Sequence, residues 1–432
     1  MRAVVVGSGA GGATAASELA KNGIEVVLLE AGKPFKPFTR KVGWFDSIRR
    51  AGLLGGERSF SKLFRSMNTQ RTENDILLVR GVTLGGCTTL SCGCMARAER
   101  GLKEIGLDLT PEFEELESTM NVTTIPRERW SPVTGAMYDS AMDMGLEPNL
   151  TPKVVDLGKC VACGLCEIGC ASGAKWDSRR FLEDIESRGG RIMTDMPVKR
   201  LVMENERVTG VEAGKGRSQS IVKGDVIVLA AGGIGTAQIL EASGIPTEDN
   251  LWVDYVLTLG GVLKNANQIK EQPMAWYLQR DRYILSPYMD LLSHFYYKLW
   301  RPVPISDRVG LMMKFADTPG GKVLADGTVL KEVIEEDKLM MESGVEEARE
   351  IMEKAGVSGP FVEGLLNAGH LGGTVPLRRD DIDLMRPGLL PDGLWISDLS
   401  LVPSSQGFPT MLTTAAISLR VSRKILAQTL PR

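Results

Sequence analysis

Four of the chain's seven cysteines lie within eleven residues, at a spacing typical of metal-binding thiolates. Cys160, Cys163, Cys166 and Cys170 follow the pattern C-x2-C-x2-C-x3-C, which ferredoxins use to hold a [4Fe–4S] cluster. The residues between them include small ones, so the thiolates can point inward at one centre. The run therefore predicts a [4Fe–4S] cluster bound by these four cysteines.

The fourth ligand of this cluster stays open. In two-cluster ferredoxins the fourth cysteine of such a run binds the other cluster, and this chain holds a single run. Cys92 or Cys94 is therefore an alternative to Cys170. Two other interpretations of the run also stay open: a structural zinc site and simple packing of cysteines as small buried side chains.

The first thirty residues predict a strand–helix–strand unit. An apolar strand over 3–6 leads into the motif G-x-G-x-x-G, a helix over 13–21 follows, and a second strand over 25–29 ends at Glu30. This order is the fingerprint of a dinucleotide-binding βαβ unit. The motif alone does not distinguish FAD from NAD.

Each glycine of this motif has its own task. Gly7 permits the tight turn, Gly9 lets a diphosphate touch the backbone, and Gly12 lets the helix pack on the strand. The N-terminus of the helix turns the positive end of its dipole toward the phosphates. Glu30, the acid that ends the second strand, is predicted to accept hydrogen bonds from the ribose hydroxyls.

Residues 30–32 and three further segments resemble the glucose–methanol–choline (GMC) family of FAD oxidoreductases. Residues 80–88 (RGVTLGGCT) are similar to the family's R-G-x-x-L-G-G-S-S loop along the flavin, with Cys87 in place of the first serine. Residues 225–245 resemble its A-A-G-x-I-G-S-x-x-L-L-x-x-S-G-I signature. Residues 370–400 resemble its H-x-x-G-T and V-x-D-x-S blocks, which close the FAD site.

The resemblance implies FAD as the cofactor and a set of cofactor contacts spread along the chain. These implied FAD-binding residues are Gly7, Gly9, Ala10, Gly11, Gly12, Glu30, Ala31, Gly32, Arg80, Gly81, Leu84, Gly85, Gly86, Thr88, Ala231, Gly232, Asp398, Pro409 and Thr410.

The resemblance also implies a catalytic residue. Family members use a histidine near the flavin as the base for an alcohol O–H, helped by a second histidine or an asparagine. His370 lies in the matching block and is predicted to be the general base or a substrate hydrogen-bonding residue; the alternative is a structural histidine beside the cofactor. Phe408 and Pro409 stand where the second polar residue would fall, which argues against simple alcohol oxidation. The other histidine, His294, is predicted to be structural.

The predicted fold is α/β, with a Rossmann-type FAD-binding domain, a smaller α+β substrate domain and a cysteine-rich iron–sulfur loop. The predicted boundaries are 1–100, 190–245 and 365–432 for a discontinuous FAD-binding domain, 150–180 for the cysteine-rich segment, and 101–149 with 246–364 for the substrate or cap domain. Charged, helically spaced residues also predict exposed helices over 113–120 and 331–354.

Aromatic residues concentrate in the predicted substrate domain. Five of the seven tyrosines lie between Tyr277 and Tyr297, with Trp276, Phe295 and Trp300 beside them. Such a cluster could line an apolar substrate pocket, rest on a membrane surface or form an ordinary aromatic core.

Composition excludes some classes of function. A net charge of −3 lacks the basic excess of a nucleic-acid-binding protein. The sequence contains no run of about 18 apolar residues, so it predicts no membrane span. The N-terminal residues are predicted to form a strand and not a signal peptide. Because the cysteines are odd in number and clustered, we expect a reducing, cytoplasmic environment.

Together these features predict an FAD-dependent oxidoreductase with a [4Fe–4S] cluster. It would move a hydride between flavin and an alcohol or lipid-like substrate, and pass single electrons to or from a ferredoxin-like carrier or a redox partner subunit. Two alternatives stay open: a flavin-dependent reductase of a C=C bond in an isoprenoid-type lipid, and an electron-transfer subunit of a larger redox complex. The sequence leaves the substrate and the direction of electron flow open.

Overall fold

The computed structural model describes residues 1–39, 42–52, 64, 66–216, 219–291 and 301–429. The aromatic residues predicted at Phe295, Tyr297 and Trp300, together with His294, lie outside these ranges. None of the helices in the described ranges combines the length and the apolar character that crossing a lipid bilayer requires.

The elements of the described residues are numbered in chain order. The strands are β1 (Arg2–Val6), β2 (Glu25–Leu29), β3 (Met67–Arg71), β4 (Leu77–Gly81), β5 (Asn149–Leu150), β6 (Arg191–Met193), β7 (Val198–Glu204), β8 (Arg207–Ala213), β9 (Ser220–Lys223), β10 (Val226–Leu229), β11 (Tyr255–Val262), β12 (Trp276–Gln279), β13 (Tyr283–Pro287), β14 (Arg308–Phe315), β15 (Lys322–Val323), β16 (Val329–Leu330), β17 (Ser358–Glu363), β18 (Asn367–Ala368) and β19 (Leu394–Ile396). The helices are α1 (Ala10–Lys21), α2 (Val42–Arg50), α3 (Thr110–Met120), α4 (Pro132–Asp143), α5 (Arg179–Ser187), α6 (Gly232–Ala242), α7 (Glu335–Lys354) and α8 (Met411–Thr429).

A parallel sheet forms the first layer of the fold, with the strand order β19-β10-β1-β2-β6. Its central strands are apolar along almost their whole length because a parallel sheet is covered on both faces. Helix α1 packs against α5 and α8, and the antiparallel sheet β7-β8-β9 contributes Leu201, Val208 and Val211 to the same core. Ligands of such sheets bind beyond the carboxyl ends of the strands, here those of β1 and β10.

A larger mixed sheet forms the second layer, in the order β3-β4-β18-β11-β14-β13-β12-β5, and β17 joins it at β11. Its two faces have different partners because successive side chains of a strand point in opposite directions. Leu311, Met313 and Phe315 of β14 enter a core covered by α7. Met312 lies in a separate apolar cluster, and the intervening Lys314 is buried. The second face is therefore available to line a site.

The strands of the parallel sheet all come from the segments predicted for FAD binding. Strands β3 and β4, from within the predicted 1–100 segment, instead pair in the larger sheet. Helix α3, from the predicted 101–149 segment, packs against α8, and Arg420 pairs with Glu112 across that contact. The division into an FAD-binding and a substrate domain stays a prediction, because the two layers exchange elements.

Candidate active site

The turn after β1 forms an open cradle at the start of α1. Gly7 has φ of 103°, and a Cβ placed there would lie 2.2 Å from the Ala230 carbonyl oxygen. Gly12 is equally confined, with an added Cβ 2.0 Å from the Gly7 oxygen, whereas a Cβ on Gly9 would meet no atom within 4 Å. Only the middle glycine therefore faces open space, where the motif requires a diphosphate.

Among the described residues, no side chain competes with an anion at the N-terminus of α1. No side chain caps it at Gly9, and its first turn, which begins at Ala10, carries no acidic residue. The first backbone N–H groups of a helix need acceptors and carry partial positive charge. Gly11 lies against the Ser397 carbonyl, which fixes α1 beside β19. These residues fit the diphosphate of a dinucleotide.

Glu30 lies buried at the carboxyl end of β2, beside the cradle. Its carboxylate accepts hydrogen bonds from the Ser8 N–H (3.1 Å), the Ser8 hydroxyl (2.5 Å) and the Gly32 N–H (2.8 Å). Burial raises the pKa of Glu30, while hydrogen bonds from Ser8, Gly32 and the Ala31 backbone act in the opposite direction. Ala31 is exposed, and ribose binding by Glu30 stays a prediction.

Ser8 is a site residue that the motif does not identify, because any residue fits its position. Its hydroxyl accepts from the Gly85 N–H at 2.9 Å while it donates to Glu30. It thereby joins the glycine turn to the segment predicted to lie along the flavin. Thr88 donates to the Gly85 carbonyl at 2.6 Å and accepts from the Ser178 N–H at 3.0 Å.

The segment 80–88 approaches the cradle closely. A Cβ on Gly86 would lie 2.8 Å from the Gly9 Cα, and one on Gly81 would lie 2.6 Å from Gly86. Leu84 packs against the hydrophobic core that surrounds the parallel sheet. The Arg80 guanidinium donates to Asn68 and Gln70, but its buried Nε has no hydrogen-bond partner in the described part of the chain. This orphaned donor fits a further polar group of a bound cofactor.

The second strand–turn–helix lies beside the first. Ala230 and Ala231 connect β10 to α6, and a Cβ on Gly232, the first residue of α6, would also meet open space. Asp398 accepts from the Gly232 N–H (2.9 Å) and the Thr236 hydroxyl (2.5 Å). Burial raises its pKa, against these hydrogen bonds. Asp398 therefore holds the start of α6, and direct contact with a cofactor stays a prediction for this residue.

His370 follows β18, the strand that pairs with β11. Its imidazole is 33% exposed, and its Nδ1 lies 3.5 Å from the Asp254 Oδ2, at the outer limit of a hydrogen bond. Burial and the charge of Lys314 lower the pKa of His370, against opposing effects of Asp254 and the Phe408 backbone. The net lowering of the pKa favours the neutral imidazole, which is the form that accepts a proton.

Phe408 lies beside His370, as the sequence pattern requires, and its environment is apolar. Its ring is 5.0 Å from the Tyr277 ring, edge to face. Both belong to an apolar wall on the second face of the larger sheet. The residues of this wall are Cys92, Cys94, Val256, Met274, Tyr277, Ile284, Tyr288, Met312 and Phe408. Pro409 and the buried Thr410 lead from Phe408 into α8.

The cysteine run lies on a loop between β5 and α5, with a short 3-10 turn at Cys166–Ile168. All seven cysteines of the chain are free thiols. Cys160 accepts from the Gln272 side chain at 2.9 Å, and Cys170 contacts Ser172 and the Lys175 N–H. Across the described ranges, no three Cys, His, Asp or Glu side chains converge to hold a metal ion. This arrangement of the thiols therefore does not support the predicted [4Fe–4S] cluster.

Two buried lysines lie among these cysteines. Lys153 donates to the Cys92 carbonyl (3.0 Å), the Pro273 carbonyl (2.7 Å) and the Cys94 thiol (3.3 Å). Lys175 donates to the carbonyls of Thr89, Ser91 and Cys166. Both therefore brace the segment after the predicted flavin loop, and neither forms a carboxylate ion pair among the described residues.

A family model described as GMC oxidoreductase matches residues 1–265. The chain therefore belongs to the GMC oxidoreductase family. This membership makes it an FAD-dependent oxidoreductase, which confirms the flavin and the α/β FAD-binding fold predicted from the sequence.

Two individual proteins are similar to the chain in sequence. It is 26% identical over 427 residues to an uncharacterised protein of Methanocaldococcus jannaschii, covering 98% of this chain and 99% of that one. It is 28% identical over 268 residues to a long-chain-alcohol oxidase of Arabidopsis thaliana, covering 56% of this chain and 34% of the plant protein. The chain thus spans about a third of the plant enzyme's length.

Among solved structures, the fold is similar to that of pyridoxine 4-oxidase from Mesorbium loti. The TM-score is 0.74 at 17% identity, and the match covers 98% of both chains. This likeness shows that the two proteins share their fold over nearly all of both chains.

Proposed function

We propose that the protein oxidises an apolar alcohol, with His370 as the base. The observation that carries this proposal is a partly exposed, neutral imidazole at the edge of the apolar wall, with a buried carboxylate behind it. The names of the two relatives, a long-chain-alcohol oxidase and pyridoxine 4-oxidase, support oxidation of a CH–OH group.

The predicted steps divide between the cofactor and the chain's own residues. When bound, FAD supplies the acceptor for a hydride from the substrate carbon. His370 accepts the hydroxyl proton, so that the oxygen can form a carbonyl as the hydride leaves. The alcohol loses one proton and one hydride, a two-electron oxidation to an aldehyde or ketone. Asp254, behind Nδ1, stabilises the imidazolium that this proton transfer creates.

The apolar wall indicates the class of alcohol. Met274, Ile284 and Met312 are buried and Phe408 packs beside them. Flexible thioether side chains adapt to apolar ligands of varied shape. A long alkyl or prenyl chain fits such a surface better than a sugar, whose hydroxyls would lose water without gaining partners.

The test is anaerobic reduction of the bound flavin by a series of primary alcohols of increasing chain length. We expect the flavin absorbance at about 450 nm to decrease. The value of kcat/KM should rise by roughly 4-fold per added CH2, because burying one CH2 group contributes about 0.8 kcal/mol. Glycerol and sugars should not reduce the flavin. If no alcohol reduces the flavin, and a prenyl lipid reoxidises flavin that dithionite has reduced, the C=C reductase is favoured instead.

A second candidate function is electron transfer through a [4Fe–4S] cluster at Cys160, Cys163, Cys166 and Cys170, to or from a ferredoxin-like carrier. Two lysines support it, because Lys153 and Lys175 lie buried among the cysteines. Burial lowers the pKa of Lys175, and an anionic cluster beside it would stabilise its charged form. Because metal binding couples to local folding, the loop would rearrange around the cluster.

Iron analysis of anaerobically purified protein tests this candidate. About four iron atoms per chain and an EPR signal on reduction would support the cluster. The variant Cys163→Ser should lose the iron, and Cys87→Ser, outside the run, should keep it. Iron-free protein with stoichiometric zinc would remove both the cluster and the ferredoxin-like partner.

A further inference from the structure

Asp254 has an unusual position for a charged residue. It lies immediately before β11 with φ of 53°, in the left-handed region that few residues other than glycine adopt. Its side chain is fully buried, and its neighbours in the sequence, Val253 and Tyr255, are buried apolar residues. Such backbone conformations persist where the surrounding structure holds them, and they concentrate at functional sites.

The carboxylate of Asp254 divides its contacts between its two oxygens. Oδ1 accepts hydrogen bonds from the Ser405 hydroxyl (2.6 Å) and from the backbone N–H groups of Gln406 and Gly407 (2.8 Å each). Oδ2 lies 3.0 Å from the Lys314 Nζ and 3.5 Å from the His370 Nδ1. One oxygen is therefore fixed by the loop before Phe408, while the other faces a lysine and the predicted base together.

We propose that Asp254 and Lys314 are positioning residues that orient the His370 imidazole and keep it a neutral base. The base role of His370 rests on the proposed function, but the coupling between these three groups does not. Lys314 is 4% exposed, so it acts through Asp254 rather than on the substrate.

The charges around His370 determine the direction in which its pKa shifts. A buried carboxylate alone would favour the imidazolium and raise the pKa of the histidine. The ammonium group of Lys314 offsets that charge, so the pair holds the ring without protonating it. Burial raises the pKa of Asp254, but Lys314, His370 and Ser405 outweigh burial and keep it ionised. The other ion pair beside Asp254 is Asp317 with Lys331 at 2.7 Å. The Asp254 N–H donates to the Asp317 carboxylate at 2.7 Å, and the Ser405 hydroxyl lies within hydrogen-bond distance of both carboxylates.

The chain's two histidines make the test direct. In holoenzyme labelled with 13C-histidine, the substitution His294→Gln leaves His370 as the single histidine signal, and its pKa can be read by NMR titration. We expect Lys314→Met to raise the pKa of His370 by about one unit or more, the effect of one nearby charge, and Asp254→Asn to lower it. Lys314→Arg, which keeps the charge, should leave it close to the parent value.

Lys322→Met is the matched control, because Lys322 forms a more exposed pair with Asp249 and should not move the titration. The double variant Asp254→Asn, Lys314→Met removes both charges and should return the pKa of His370 toward the parent value. The acid limb of kcat/KM should follow the NMR pKa in each variant. An unmoved titration in Lys314→Met overturns the coupling. If the pKa of His370 shifts in a variant but the acid limb of kcat/KM does not, the coupling is supported and the base role is overturned.

Discussion

Replacing His370 with alanine is expected to lower turnover of an alcohol substrate by at least ~10²-fold while FAD stays bound, because loss of a general base typically costs 10²–10⁴ in rate. The imidazole lies beside the apolar wall and is not part of the glycine cradle. Its removal should therefore leave the diphosphate site intact. The measurement is steady-state turnover together with the flavin absorbance of the purified variant.

His294→Ala is the matched control, since His294 is predicted to be structural and should retain turnover. Normal turnover in His370→Ala would discard the base role. It would also favour C=C reduction, which has no hydroxyl proton to remove. Loss of flavin in the same variant would instead assign His370 to cofactor binding.

The cofactor unit could be predicted from the sequence because its signals are local. The strand predicted over 25–29 is confirmed as β2 without change, and the strand over 3–6 gains Arg2. The helix starts at Ala10 rather than residue 13, because the last glycines of the motif form its first turn. The helices predicted over 113–120 and 331–354 are confirmed as α3 and α7, each with a shifted first residue. Their predicted exposure is only half right, because Phe113 of α3 and Ile351 of α7 lie on buried faces.

The polar network behind His370 could not be predicted from local patterns. Asp254, Lys314 and Ser405 are far apart in sequence and meet only because β11 pairs with β14 and the loop before α8 closes over them. One signal was present: Asp254 and Lys314 each interrupt a run of mostly apolar residues in the sequence. A charge inside such a run is buried and needs a partner, but the sequence does not say which.

The cysteine run shows the limit of spacing as a signal. Spacing identifies thiols that can share a metal, but the same residues also serve as packing and hydrogen-bonding groups. Here Cys160 accepts from Gln272, and Lys175 spans from Cys166 to the segment after the flavin loop. Which of these uses the protein makes depends on metal supply and redox state, which sequence spacing does not encode.

Replacing Gly9 with aspartate is expected to abolish FAD binding without unfolding the chain. Gly9 has φ of −66°, which any residue adopts, and an added Cβ meets no atom within 4 Å. The new carboxylate would occupy the diphosphate position, and juxtaposed like charges cost several kcal/mol, so we expect at least a ~10²-fold loss of affinity. The measurements are flavin content after purification and titration of the apoprotein with FAD.

Two further glycine variants separate cofactor binding from folding. Gly388→Asp adds the same side chain at an exposed position with open space, and it should keep both flavin and stability. Gly12→Ala adds only a methyl group, but its Cβ would lie 2.0 Å from the Gly7 oxygen, so the apoprotein itself should unfold at a lower temperature. If Gly9→Asp binds FAD as tightly as the parent protein, the diphosphate does not lie at this turn. The flavin site would then have to be sought elsewhere along the carboxyl edge of the parallel sheet.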